Sequence, residues 1–194
     1  MKIVTFYGSP RKGGNTDLLL NEALKLIRDA GHEIIRFDLN DMNIRPCQDC
    51  GGCETTGECV VDDDMSPVTD AIRVADRIIV ASPIFFFALS AQTKIMMDRC
   101  QAFWCEKYLL KQPIPEGPKG RLGLLILVGG MKQDIGLKCA EATAKAFFRT
   151  ISVPHHETIG FLNVDSKGAV AGHPTAFEDV RKAAQALIGK DEES

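Results

Sequence analysis

The chain has 194 residues, 45% of them hydrophobic, which suits one compact domain with a real core better than two. A formal net charge of -3 argues against nucleic acid as the main partner. The longest uncharged run starts at Ile78 and is interrupted by Ser82 and Pro83, so no membrane span is expected.

The N-terminus, Met1-Lys2, leads straight into a strand-like run with no secretory h-region, and the expected location is the cytoplasm. Apolar residues 3–7 read as a buried strand. Asn15 or Thr16 can cap a helix to about Ala30, with Leu20, Leu24 and Ile27 on one face and Gly31 as its stop. Residues 33–39 read as a second strand, followed by an irregular cysteine-rich insertion at 46–60. Asp63-Asp64-Met65-Ser66-Pro67 opens a helix that carries Val68, Ala71, Ile72 and Ala75 at helical spacing. Residues 77–81 form a third strand, and a helix runs from Ser90 to about Cys105. A proline-rich excursion covers 106–120, a fourth strand 121–128, a helix 135–150, a weak fifth strand 155–161 and a last helix 175–188. Strands alternating with helices predict an α/β fold, a doubly wound five-stranded parallel sheet with helices on both faces. The expected organisation is a single domain over 1–189 and a charged, frayed tail at 190–194.

The first strand runs into Gly8-Ser9-Pro10-Arg11-Lys12-Gly13-Gly14-Asn15-Thr16 before the helix begins. Glycines there let a backbone approach a ligand closely, a helix N-terminus aims N–H groups at it, and hydroxyl and amide side chains add donors. A Walker loop needs Lys directly after its second glycine, but Gly14 follows Gly13. A dinucleotide fingerprint needs a second glycine where Ser9-Pro10 stands, so one phosphate monoester fits better than a pyrophosphate. A plain turn rich in small residues is the alternative.

Gly8-Ser9-Pro10-Arg11-Lys12 followed by Gly14-Asn15-Thr16 resembles the FMN-phosphate loop of the NADPH-dependent FMN reductase family, a branch of the flavodoxin-like fold. The resemblance extends to about Gly130 and implies that Ser9, Arg11, Asn15 and Thr16 hold the FMN phosphate. In an open α/β sheet, ligands sit beyond the carboxyl ends of the strands at the switch in strand order, so the loops after strands one, three and four should converge. The loop after strand three carries Phe85-Phe86-Phe87, three rings that are costly to leave uncovered. That stretch is similar to the family's flavin-binding segment, which implies that Pro83, Ile84, Phe85 and Phe86 flank the isoalloxazine. A run of three phenylalanines departs from the family's usual Tyr with Gly or Asn there. The other reading is that these rings fill a core or a subunit interface. Gly129-Gly130 after strand four either admits backbone to the flavin's pyrimidine edge or only turns the chain.

Of seven cysteines, four are crowded as Cys47-x2-Cys50-x2-Cys53-x5-Cys59, and in a cytoplasmic chain such crowding points to metal or redox chemistry. Thiolates suit iron–sulfur clusters or zinc, and a C-x2-C-x2-C run wraps three corners of a cubane. The spacing resembles the compact motif of iron–sulfur flavoproteins, a subset of the same family, which implies one [4Fe–4S] cluster near the FMN. Zinc and free or disulfide-forming thiols stay open as alternatives. Cys100, Cys105 and Cys139 read as ordinary buried residues of helices, and Asp62-Asp63-Asp64 as carboxylates favoured by a helix start.

The expected function is electron transfer through FMN and a cluster, with no residue assigned as a catalytic acid or nucleophile. A ferredoxin-like protein or NAD(P)H would be the donor and a small oxidant or protein the acceptor. The resemblance implies a homo-oligomer, a homodimer or homotetramer. Two further classes stay open: a cluster-free NAD(P)H-dependent FMN or quinone reductase, and an electron-carrier module without its own substrate.

Overall fold

The computed structural model describes residues 1–189, so the tail expected at 190–194 lies outside the described residues. Strand β1 is Lys2–Tyr7, β2 Glu33–Asp38, β3 Arg77–Phe85, β4 Ala88–Leu89, β5 Leu122–Val128 and β6 His155–Phe161. The helices are α1 Asn15–Asp29, α2 Met65–Val74, α3 Ala91–Arg99, α4 Gln101–Trp104, α5 Ile135–Thr150 and α6 Ala176–Gly189. Five strands pair in parallel in the order β2-β1-β3-β5-β6, with β4 pairing antiparallel to β3. This is the expected doubly wound order of the flavodoxin-like fold.

Central strands β1, β3 and β5 are apolar nearly throughout because helices cover both their faces. On one face Leu19, Leu20 and Ile27 of α1 and Val180 and Ala184 of α6 meet Ile3, Ile79 and Ile126. On the other, Val68 and Ile72 of α2, Met96 of α3 and Phe147 and Phe148 of α5 meet Val4, Phe6 and Val80. Each fully buried Leu, Ile or Phe contributes roughly 1.5–3 kcal/mol by leaving water, and this burial rather than helix propensity holds the layers together.

Three expectations need correction. The third strand does not stop at Ala81 but continues through Pro83 and Ile84 to Phe85, and turns back as β4. β1 pairs with β3 only as far as Ala81, so Pro83 has no ladder partner on that side to deprive of an N–H. The helix from Ser90 is also interrupted. α3 ends at Arg99, α4 follows, and a π turn over Cys105–Leu109 carries the coil into the expected proline-rich stretch. Finally, the N-cap of α1 is Gly14, not Asn15 or Thr16, and it offers no side chain to the first helical N–H groups.

Candidate functional site

At the carboxyl edge of the sheet, β1 ends at Tyr7 and the chain crosses between β3 and α3. Gly8 N–H donates to the Ala81 carbonyl at 2.9 Å, and Ser90 Oγ donates to the Gly8 carbonyl at 2.6 Å. No side chain fits here: a Cβ on Gly8 would stand 1.8 Å from Thr93 Oγ1. The loop beyond is shaped by its own bonds. Arg11 N–H donates to Ser9 Oγ at 3.2 Å, Tyr7 Oη donates to the Arg11 carbonyl at 2.8 Å, and Asp17 reaches back to the Gly13 N–H at 2.8 Å. Gly13, at φ 66°, takes a backbone shape that other residues adopt at a cost. The open N-terminus of α1 therefore faces a cleft, with unsatisfied N–H groups and the positive end of its dipole.

That cleft is lined by Ser9, Arg11, Asn15 and Thr16 on one side, Pro83, Ile84 and Phe85 on another, and Gly129 and Gly130 beyond β5. The structure thus brings together every residue expected around the flavin except Phe86. Phe86 and Phe87 form the tip of the β3–β4 hairpin, and Phe86 is 103% exposed and outside the cleft lining. Both have positive φ, 48° and 63°, as a tight hairpin turn demands. Bulky residues pay about 1–2 kcal/mol each for that conformation.

Asn15 lines the cleft but its side chain is committed elsewhere. Nδ2 donates to the Ser166 carbonyl at 2.9 Å and Oδ1 accepts from Val170 N–H at 3.2 Å, so Asn15 pins the loop after β6 against α1. That loop adds Val164, Asp165 and Lys167 to the lining, and the Lys167 chain passes over Gly13. Reading the sequence missed Lys167, because nothing near it in the chain signals a position beside a loop more than 150 residues earlier.

The cysteine segment packs away from this cleft, on α3 and α4. Cys47, Cys50, Cys53 and Cys59 line one hollow with Arg99, Gln101 and Cys105. Among the described residues no three His, Cys, Asp or Glu side chains converge to hold a single metal ion. Arg99 organises the segment. Its Nη1 donates to Asp63 Oδ2 at 2.6 Å and to the Arg45 carbonyl at 2.8 Å, and its Nη2 reaches Cys59 Sγ at 3.4 Å and the Val61 carbonyl at 3.3 Å. The two charged side chains are 1% and 2% exposed. Burial works against the charge on Asp63, but the Arg99 bond, with the Arg45 and Met65 N–H groups, outweighs it and holds the carboxyl below its ordinary range. Asp63 is thus the buried partner of Arg99, beyond the helix-start role expected of it.

Cys105 is not the bystander that its helix position suggested. Its sulfur lies 3.6 Å from that of Cys53. Burial, and then the Cys105 thiol, raise the pKa of Cys53. Cys100 is buried as expected, whereas Cys139 is exposed. α3 separates the two regions: Ser90 before its first residue touches Gly8 and Arg99 at its end touches Cys59, and nine helical residues rise about 13 Å.

Comparisons with known proteins identify the family and the fold. The chain is 41% identical over 99 residues to an iron-sulfur flavoprotein of Methanocaldococcus jannaschii, covering 51% of each chain. It is 31% identical over 189 residues to an iron-sulfur flavoprotein of Archaeoglobus fulgidus, covering 95% of this chain and 76% of that one. Among solved structures it superposes on an NAD(P)H:quinone oxidoreductase from Methanothermobacter marburgensis with a TM-score of 0.67 at 15% identity, over 96% of this chain and 94% of that one. The likeness in shape establishes the flavodoxin-like fold. Residues 1–161, which hold the β1–α1 loop, the hairpin and the cysteine segment, match the model of one family, and the chain belongs to that family, the NADPH-dependent FMN reductases.

Proposed function

We propose that the chain is an FMN-dependent oxidoreductase that passes electrons from a one-electron donor to a small or protein acceptor, with a [4Fe–4S] cluster as second centre. The cleft at the β1/β3 switch point carries the reading. Its α1 end offers uncapped N–H groups, Ser9, Thr16, Arg11 and Lys167, and its other walls are Pro83, Ile84, Phe85 and Val128. A Cβ on Gly14 would stand 2.9 Å from the Arg11 carbonyl, so only bare backbone lets the loop close around an anion. An elongated ligand with one phosphate and a flat apolar ring fits that arrangement, and FMN is such a ligand. The thiols of Cys47, Cys50, Cys53 and Cys59 in the hollow, with Arg99 behind Cys59, fit a thiolate-held cluster.

When bound, FMN exchanges one or two electrons and a cubane cluster one at a time, so the pair interconverts one- and two-electron partners. The protein's part is placement and tuning. Ser9, Thr16 and the α1 N–H groups donate to the phosphate, Arg11 and Lys167 balance its charge, and Pro83 and Ile84 keep water from one side of the ring. Arg99 donates to Cys59 Sγ and so holds that side chain in place in the hollow. NAD(P)H or a ferredoxin-like protein is the proposed donor. The setting proposed is one domain over residues 1–189, in the cytoplasm.

Replacing Arg11 by Ala is expected to weaken FMN binding by roughly 1–3 kcal/mol, the range of a charge-assisted hydrogen bond, as titration of apoprotein with FMN would measure. An unchanged dissociation constant removes Arg11 from the site. A homodimer or homotetramer is also proposed, because Phe86, Phe87, Trp104, Tyr108 and Leu109 are all exposed large apolar side chains. Sedimentation equilibrium at micromolar concentration should give a multiple of the monomer mass, and a monomer mass would refute it.

The whole reading is tested on protein purified without oxygen, by a visible spectrum, chromatography of the heat-released flavin, and iron and sulfide assays. FMN with about four irons per chain supports it. FAD, or no flavin after reconstitution, overturns the flavin assignment. FMN with little iron and no absorption beyond the flavin bands leaves a cluster-free NAD(P)H-dependent FMN or quinone reductase.

A further inference from the structure

Five cysteines, not four, face the hollow, and the fifth comes from a different part of the chain. Cys105 is 1% exposed, lines the hollow with Cys47, Cys50, Cys53 and Cys59, and places its sulfur 3.6 Å from Cys53 Sγ. Its position is built. Cys105 opens the π turn in which Leu110 N–H bonds back to the Cys105 carbonyl at 3.0 Å, and such turns gather at functional sites. The cysteine segment is seated on that turn through Gly57, at φ 75°, where a Cβ would stand 3.2 Å from Glu106 Cβ. Glu106 is itself held by Arg73 at 2.8 Å.

Sulfurs 3.6 Å apart are in van der Waals contact. They cannot serve two different corners of a cubane, whose ligand sulfurs stand much farther apart, but either can serve the same corner. We propose that Cys105 is a metal-ligating residue of this centre, the alternative to Cys53 at one iron of the [4Fe–4S] cluster. The inference rests on the cluster reading above. Exchange between the two is redox-neutral: the iron–sulfur bond to Cys53 breaks and that sulfur takes up a proton, while the Cys105 thiol gives up its proton and its sulfur forms the new bond. The remaining thiols, Cys47, Cys50 and Cys59, have no such neighbour among the contacts described, so loss of any of them is not covered.

The test is anaerobic reconstitution of the full chain with ferrous iron and sulfide, comparing wild type, Cys53→Ala, Cys105→Ala, the double variant and Cys50→Ala. Iron and acid-labile sulfide per chain and the spectrum of the reduced cluster are read, with retained FMN as the measure of folding. Wild type and both single variants at positions 53 and 105 should hold about four irons, and the Cys53→Ala signal should be altered by the changed ligand. The double variant and Cys50→Ala should hold less than half as much. If wild type loads and Cys53→Ala, still binding FMN, loses as much iron as the double variant, the inference fails and the cluster reading stands. If wild type takes up no iron, both fail. Should Cys105→Ala lose its FMN through misfolding, the contrast between wild type and Cys53→Ala, which leaves the helix intact, decides alone.

Discussion

Replacing Arg99 by Met is expected to lower the unfolding free energy by about 3–5 kcal/mol, the cost of breaking a buried ion pair from one side. The side chain of Met has similar length but no donors. Asp63, 2% exposed and 2.6 Å from the lost guanidinium, would keep the Arg45 and Met65 N–H groups, each at 3.0 Å, and the more exposed Arg45 guanidinium at 3.8 Å. The Arg45 and Val61 carbonyls and Cys59 Sγ would lose their donor too, so the cysteine segment should detach from α3. Denaturant unfolding measures the loss, and a change below about 1 kcal/mol would show the pair to be dispensable. The pH dependence should weaken as well. In wild type the Asp63 pKa is depressed, so its contribution is present above the ordinary carboxylate pKa and disappears as pH falls through the depressed value. In Arg99→Met the same carboxyl loses its buried cation and keeps the Arg45 guanidinium at 3.8 Å. Its pKa moves up from the depressed value, so less of its stability is lost as pH falls. A pH series of unfolding midpoints on the two proteins separates these slopes.

Gly8→Ala is expected to be the most damaging one-carbon change near the cleft. The added Cβ meets Thr93 Oγ1 at 1.8 Å and Ser90 Oγ at 2.9 Å, and Ser90 Oγ ties the three residues together, bonded to the Gly8 carbonyl at 2.6 Å and to Thr93 Oγ1 at 2.9 Å. Ser90 and Thr93 are wholly buried, so neither side chain can swing into solvent. Overpacking of this kind costs about 1–3 kcal/mol or more, and relief by shifting the β1–α1 loop would displace the donors proposed for the phosphate. A lower melting temperature and weaker FMN binding should appear together. Removing the clashing oxygen with Thr93→Ala should recover part of both in the double variant, a coupling that independent sites would not show. Wild-type values for Gly8→Ala would mean that the strand and α3 can part here without cost.

The parts of the molecule that were readable in advance are those written in local pattern. Strands β1 and β5, helices α1 and α5 and strand β6 fall within a residue of their expected ends, because apolar period and turn residues lie inside each segment. That the loop after β1 lines a cleft was readable for the same reason: nine consecutive small, polar and basic residues stand between a strand and a helix. The end of β3 was not. Ser82-Pro83 carries the local signature of a loop, and it continues as strand only because β1 stops pairing at Ala81 while β5 pairs on to Val128.

The same division holds for the sites. Composition, the glycine loop and the x2, x2, x5 cysteine spacing were enough to point to an α/β redox protein and to name Ser9, Arg11, Thr16, Pro83, Ile84, Phe85, Gly129 and Gly130 as cleft residues, since each set is contiguous in the chain. Partnerships across long separations were beyond that reach. Asn15 bonds to residues 151 and 155 positions away, Arg99 to an aspartate 36 away, and Cys105 to a cysteine 52 away. No local periodicity encodes which helix end will face which loop. That depends on the order in which the strands pair and on the crossover helices packing so as to bury their apolar faces, and it is this packing that turns Asn15 into a brace for the last loop, Asp63 into a buried counter-ion and Cys105 into a neighbour of the cysteine segment.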